Sequence, residues 1–461
     1  MKAALTPFAS VSLRSAPAVT AREPKMQDGA RYDSYYQSVG QDRAQEYTVV
    51  EVCAGAGGQS LGLHNAGFKH SLAVEIDATA ADTLSANLGA PVAVGDVASP
   101  DVWDPRDYVG VTLFAGGVPC PPFSIAGKQL GSSDERDLFA WAIEQVGVIQ
   151  PRAVMLENVR GLSSPRFAAY RQRVLDRLDD YGYIGEWKLL HASEFGVPQL
   201  RPRFVLVAMR PEDQAYFRFP DGSESVRLTI GEALHDLMAA RGWKGADEWQ
   251  RLANDVGPTL VGGSKKHGGA DLGPTRAKQG WSKLYVDGRG IADAAPDPDA
   301  PSAIERHPRL TIEMAARVQG WRPGDGWVFS GRKTSQYRQI GNAFPPPVAE
   351  AVGARIVAAL ENEGLPREDI GRSVDLHDPV YRALANASDA LSLAELVRAH
   401  NEGSVASVER KIAALAHDFD LEVLTDPSGV TRYRLGTFKG FTGQRDHVRH
   451  NFVAQHRNRV S

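Results

Sequence analysis

Cysteine is scarce in this chain, with only Cys53 and Cys120 among 461 residues. The two share no CxxC spacing, so the sequence supports neither a disulfide framework nor a zinc site, and a reducing compartment is expected. Long apolar runs are missing too. None approaches the roughly 20 residues that span a bilayer, and the N-terminus lacks the compact apolar core of a secretion signal. The chain therefore reads as soluble and cytoplasmic. An excess of positive charge is the third absence: 52 Lys and Arg against 56 Asp and Glu give a net charge of -4. Any surface for nucleic acid must then be a local basic patch. What is present is 43% hydrophobic residues, enough over this length for two or three domains with real cores.

Residues 1–45 are rich in Ala, Ser, Pro and scattered charge without periodicity, and read as a mobile extension. From Tyr47 to Phe68 the pattern is strand, glycine loop (Ala54 to Gly58), then helix. Such a loop admits a ligand close to backbone amides and a helix N-terminus. Alone it is weak evidence, since glycine in a strand-to-helix turn often serves packing only, and a nicotinamide dinucleotide would suit it as well. A second strand, Ser71 to Ile76, ends in Glu75 and Asp77. A third, around Val92 to Val97, ends at Asp96. In a doubly wound fold, an acid about 20 residues past the loop accepts from ribose hydroxyls, and Asp96 is placed for an adenine amino group. These units predict an adenosine-binding crevice.

The stretch Phe114 to Gln129, FAGGVPCPPFSIAGKQ, follows a fourth apolar run at Val111 to Phe114. Prolines on both sides of Cys120 bar helix and ladder, so the loop presents its thiol rigidly at a strand end. A small buried hydrophobe is the alternative that this stretch leaves open. A helix is predicted over Arg136 to Ile149, and a fifth apolar run, Ala153 to Leu156, leads into Glu157-Asn158-Val159. Then come a helix over Arg166 to Leu178, a strand over Tyr183 to Leu189, and Gln199-Leu200-Arg201-Pro202-Arg203 before a strand over Phe204 to Met209. From 211 to 308 the strand-helix rhythm stops. Leu260 to Trp281 is glycine-rich and basic, with Lys265, Lys266, Arg276 and Lys278 suited to phosphate contact; a solvated loop is the bland reading. Gln339 to Val348 enters a helix running to Leu360. Beyond 363, two helices (Leu391 to His400, Val405 to Phe419) and a hairpin (Leu421 to Thr425, Val430 to Leu435) have the order of a winged helix, or of a plain structural extension, before a basic end.

Taken together and in this order, the Pro-Cys loop, Glu157-Asn158-Val159, the Gln-x-Arg-x-Arg run and the Gln339 to Val348 segment resemble the DNA (cytosine-5) methyltransferases of bacterial restriction-modification systems. The resemblance implies an α/β fold: a doubly wound, Rossmann-like S-adenosylmethionine-dependent methyltransferase domain over 46–210 and 309–362. It further implies an inserted small target-recognition domain over 211–308, leaving 363–461 as an α+β extension. Cys120 becomes the nucleophile, Glu157 the acid, and Arg201 and Arg203 the cations that steady the base, its phosphate and the adduct. S-adenosylmethionine would be held by Glu51, Cys53, Ala54, Gly55, Gly57 and Gly58, by Glu75, Ile76, Asp96 and Val97, and by Pro119, Asn342 and Val348. Ser124, Lys128 and Gln129 belong to a loop closing over DNA. Cys53 stands where the family usually carries a Phe against the adenine, so stacking falls to Ile76. The implied partners are double-stranded DNA and a cognate endonuclease, acting on a monomer without metal. A tRNA cytosine-5 methyltransferase and a catalytically silent DNA-binding regulator are the rivals on the same scaffold. The roughly 100 residues between Arg210 and Arg309 favour duplex DNA.

Overall fold

The structure is a computed structural model that describes residues 46–119, 136–222, 227–262, 270–368, 370, 378–400, 404–425, 427 and 429–438. Its apolar runs become the strands of one sheet: β1 (Tyr47–Val52), β2 (Phe68–Glu75), β3 (Val92–Val94), β4 (Leu113–Gly116), β5 (Ala153–Val159), β6 (Ile184–His191) and β7 (Pro202–Met209). The order is β3-β2-β1-β4-β5-β7-β6. Neighbours from β3 to β5 run parallel, while β7 is antiparallel to both β5 and β6. Strand direction alternates its side chains between two cores. Val50, Val52, Phe114 and Leu156 face one cluster with Trp141 and Val146; Val49, Leu113, Met155 and Val207 face another. Both faces are covered, which is why these strands read as continuous apolar runs rather than alternating ones.

Helices α1 (Gly58–Asn65), α2 (Ala78–Asn87), α3 (Arg136–Ile149) and α4 (Ala168–Asp180) follow β1, β2, β4 and β5. The connections lead outward in both directions from β1 and β4, so a crevice opens at their carboxyl ends. That crevice receives the glycine loop after β1, and Gly117 and Pro119 after β4.

Residues 211–308 contribute helices α5 (Ile230–Ala239), α6 (Ala246–Leu252) and α7 (Thr275–Lys283), the first closed by a capping box between Thr229 and Glu232. They pack Leu234, Met238, Trp243, Trp249 and Trp281 into a separate cluster. Helices α8 (Ile312–Gln319) and α9 (Lys333–Asn342) place Met314, Val318, Tyr337 and Ile340 in that same cluster. That cluster therefore runs across the boundary expected at 309. Phe344 and helix α10 (Pro346–Leu360) are what return to the sheet, beside Val49 and Leu63.

Beyond 363, α11 (Pro379–Asn386), β8 (Leu391–Ser392), α12 (Leu393–Ala399), α13 (Val405–Asp418), β9 (Phe419–Thr425) and β10 (Thr431–Phe438) enclose a cluster of Val380, Tyr381, Leu396, Val408 and Leu415. The three strands are ordered β8-β10-β9. Of the basic residues expected at the end, Arg432 pairs with Glu395 and Arg434 with Glu422, whereas Lys439, Arg445, Arg449, Arg457 and Arg459 lie outside the described residues. No helix among the described residues is long and apolar enough to cross a membrane.

Candidate active site

A cavity of about 330 Å³ occupies the crevice. Of the residues named above for the cofactor, Glu51, Cys53, Ala54, Gly55, Glu75, Ile76, Val97, Pro119 and Asn342 line it, and so does Glu157. Four other predicted contacts stand elsewhere. Gly57 has φ +86°, and a Cβ there would strike the ring of Trp327; one on Gly58 would strike the carbonyl oxygen of Phe344. Both glycines let chain segments pack tightly. Val348, in the first turn of α10, faces the core. Asp96 is 9% exposed and its Oδ1 accepts from the Ala98 amide at 3.1 Å, while its neighbours Gly95 and Val97 are the ones that line the cavity. Sequence reading missed Gln59, Asp77, Leu138 and Gln339, all on the cavity wall. Gln59 sits in the first turn of α1, where a glutamine carries no pattern that separates a pocket residue from a surface one.

The polar groups of the wall fit an adenosylated amino acid. Glu75 accepts from the Gly55 amide through Oε2 and the Asp77 amide through Oε1, each at 2.8 Å. Carboxylate oxygens have lone pairs beyond these, which suits ribose hydroxyls. Burial pushes the Glu75 carboxyl pKa up, against those two amide bonds. Glu51 and Gln59 are buried, and Glu51 Oε1 and both amide atoms of Gln59 have no hydrogen-bond partner among the described residues. Orphaned polar atoms on a cavity wall are what a polar ligand would satisfy.

At the other end of the cavity lies the acid. Glu157, near the end of β5, stands 2.7 Å from Arg203 Nε on β7, and the cross-strand register pairs Val159 with Arg203. The contact is a close ion pair rather than an aligned hydrogen bond. Burial raises the Glu157 carboxyl pKa, opposed by Arg203 and then Arg201. Asn158 Nδ2 donates to the Val118 carbonyl at 2.9 Å, tying β5 to the Pro-Cys loop two residues before Cys120. Asn158→Ala leaves that buried carbonyl unpaired, and is expected to cost about 1–3 kcal/mol in urea unfolding. Loosening the loop should also lower kcat by up to about 100-fold with little change in cofactor affinity; wild-type kcat would show that the bond does not position the loop.

Arg201 departs from its expected role. Its guanidinium is fully buried and donates to the carbonyls of Leu260 at 2.8 Å, Gly341 at 2.8 Å and Ala343 at 2.7 Å. Desolvation drives its pKa well below the usual arginine value. Gln199 completes the arrangement: its Nε2 donates to the Val318 carbonyl and Gln319 Oε1, and its Oε1 accepts from the Leu260 amide. The run Gln-x-Arg-x-Arg thus divides its work. Gln199 and Arg201 bind the 260 loop, α8 and the cavity wall together, and Arg203 alone meets the acid. Arg201→Met should cost about 3 kcal/mol or more by stranding three carbonyls, read as a lower urea midpoint; an unchanged midpoint would contradict the clasp.

Cys120, Ser124, Lys128, Gln129, Lys265 and Lys266 lie outside the described residues. Arg276 is exposed on α7, and Lys278 on the same helix is paired with Asp271 at 2.6 Å.

Residues 47–358 match the family model of C-5 cytosine-specific DNA methylase. Type II methyltransferase M.NaeI of Lentzea aerocolonigenes is 59% identical over 420 residues, covering 90% of this chain and 100% of its own. Type II methyltransferase M.NgoMIV of Neisseria gonorrhoeae is 46% identical over 324 residues, covering 69% of this chain and 99% of its own. The M.NaeI match has to run past residue 358 to reach its coverage, so part of the C-terminal extension is shared with that relative. An acid on β5 beside the Pro-Cys loop, a crevice lined for an adenosylated ligand and these matches converge: the chain belongs to the C-5 cytosine-specific DNA methylase family.

Proposed function

We propose that this chain methylates carbon 5 of a cytosine flipped out of a short duplex DNA site, through a covalent adduct with Cys120, and that it protects host DNA alongside a cognate endonuclease. The observation that carries the reading is the half-buried Glu157, its pKa raised by desolvation and its carboxylate held against Arg203, with Asn158 beside it bonded to the Val118 carbonyl two residues before Cys120. Carbon 5 of cytosine is a weak nucleophile. Cys120 as thiolate adds to carbon 6, and the displaced electron pair moves toward ring nitrogen 3, where Glu157 gives or shares its proton. Carbon 5 thereby becomes electron-rich. S-adenosylmethionine, when bound, supplies a methyl group on a positively charged sulfur. After methylation, loss of the carbon 5 proton to a base and departure of Cys120 restore the ring.

Glu51, Cys53 to Gly55, Glu75, Ile76, Val97, Pro119 and Asn342 hold the cofactor, with Asp96 near its adenine. Carbon 6 is out of reach in stacked DNA, so the base is extruded, and Ser124, Lys128 and Gln129 close over it. Residues 211–308 form the target-recognition domain, where Lys265, Lys266, Arg276 and Lys278 meet phosphates. The extension from 363 is winged-helix-like. The enzyme works as a cytoplasmic monomer.

The test is transfer of labelled methyl from S-adenosylmethionine to unmethylated duplex DNA, with bisulfite sequencing of the product. Label at carbon 5 within one short motif is expected. Label in tRNA alone would move the substrate to RNA, and none in either would refute the activity.

A further inference from the structure

The three helices within 211–308 differ in charge. Helix α5 carries Glu232 and Asp236, and α6 carries Asp247 and Glu248, whereas α7 (Thr275–Lys283) has three cations, Arg276, Lys278 and Lys283, and no acid. A helix so charged attracts phosphate.

The spacing along α7 sorts its side chains. At 3.6 residues per turn, Thr275, Gln279 and Ser282 fall in one row. Arg276 and Lys283 border that row on one side, Lys278 borders it on the other, and Trp281 points the opposite way. Thr275, Arg276, Gln279, Ser282 and Lys283 are exposed and Lys278 is half-buried, while Trp281 is buried. The side chains of Thr275, Arg276, Gln279 and Lys283 have no partner among the described residues; Ser282 Oγ lies 3.4 Å from His307 Nδ1, and Lys278 is held by Asp271 at 2.6 Å. Neutral groups that donate and accept thus run down the middle, with cations at both borders. A helix in a DNA groove needs that cross-section, because its middle faces base edges and its borders face the phosphates of the two strands.

The inner face fixes where the helix stands. Trp281 packs on Gly257, where a Cβ would come within 2.6 Å of its ring. The Gly257 amide donates to the Pro198 carbonyl, and the Gly257 carbonyl accepts from the Leu200 amide, each at 3.0 Å. That run continues into Arg203, which meets Glu157. Helix α7 is therefore seated on the segment that carries the active-site cation, with its polar row turned outward along a concavity. Arg289, Arg306 and Glu305 line the same concavity, and Asp287 there is paired with Arg289 and Arg309.

We propose that α7 enters a groove of the duplex, that Gln279, with Thr275 beside it, reads a base edge, and that Arg276 and Lys283 meet the flanking phosphates. The inference rests on the reading of this chain as an enzyme of duplex DNA. A glutamine amide offers a donor and an acceptor in one plane, so it can pair with two atoms of one base. Methylation of a random-sequence duplex library, located by bisulfite sequencing, tests the assignment. The rate at the wild-type motif over the rate at each one-base variant of it measures discrimination. Gln279→Ala is expected to lower that ratio by about 5- to 100-fold at one position and to leave the others within twofold. Because Gln279 is exposed, the urea midpoint should not move. Arg276→Ala and Lys283→Ala should each weaken binding to all sequences alike, and flatten the dependence of log affinity on log salt by about 1. Discrimination that Gln279→Ala leaves unchanged at every position, or lowers at all of them alike, overturns the inference, as does a salt slope unchanged in both cationic variants. Those results leave the methyltransferase reading standing, since wild type still marks its motif. Wild type that marks no motif in duplex DNA overturns that reading and the inference together.

Discussion

Cys120→Ser is expected to abolish methyl transfer while DNA binding persists. A free thiol with a pKa near 8.5 already holds a few per cent of thiolate at neutral pH, and the family's chemistry needs that thiolate to add to carbon 6. A serine hydroxyl in the same place is nearly isosteric but ionises far less and is a poorer nucleophile toward an unsaturated carbon. Loss of a covalent nucleophile of this kind should lower kcat by about 10⁴-fold or more. Arg201 gives the thiolate little help, because its guanidinium is engaged with three backbone carbonyls. Arg203 is drawn to Glu157. Activation then has to come from the loop's own geometry or from the substrate. Single-turnover label transfer reads the chemical step, and a gel-shift titration reads DNA affinity, expected to stay within threefold. A variant retaining more than a hundredth of the wild-type rate would remove Cys120 from the mechanism.

Much of this site was readable from the chain because parallel strands announce themselves. Apolar runs that end in Glu51, Glu75, Gly116 and Glu157 placed those groups at one sheet edge before any contact was known, and the helix over Arg136 to Ile149 fell where its apolar spacing put it. Partnership was harder to read. Arg201 and Arg203 alternate along the same run, yet one is enclosed by carbonyls from segments about 60 and 140 residues away while the other meets the acid. Only the fold brings Leu260 and Gly341 beside Arg201. Val348 likewise closes the Gln339 to Val348 motif in sequence but turns inward with the first turn of α10. The shared core of α5 to α9 escaped notice because its tryptophans are scattered, and nothing local tells that Trp281 and Tyr337 belong to one cluster. Gln59 was missed for the opposite reason: it is an ordinary polar residue whose burial, at 3% exposed, comes from the fold and not from any local pattern.

Glu157→Gln is expected to cut kcat by about 10²- to 10⁴-fold, the range for loss of a general acid, without undoing the fold. The amide is the same size, its oxygen can still face Arg203 Nε, and its nitrogen can still donate to ring nitrogen 3. It has no acidic proton to give, so the adduct forms without protonation of the ring. The pH dependence should separate this from a positioning defect. Burial raises the Glu157 carboxyl pKa above the ordinary 4.5, against the pull of Arg203 and Arg201. The acid form, which the mechanism needs, is therefore kept to higher pH than in a solvated carboxyl, and wild-type kcat should fall as pH climbs through the raised value. Glu157→Gln has no such group, so that descending limb should vanish along with most of the rate. Stability follows the same proton. Because the folded protein holds it to higher pH than the unfolded chain does, the stability linked to it is full below about 4.5 and is lost as pH rises through the folded value. The variant should accordingly lose less stability than wild type over that interval in urea unfolding. A descending limb that persists in Glu157→Gln would assign the titration to another group, with Glu75, whose carboxyl is also raised by burial, the first to replace.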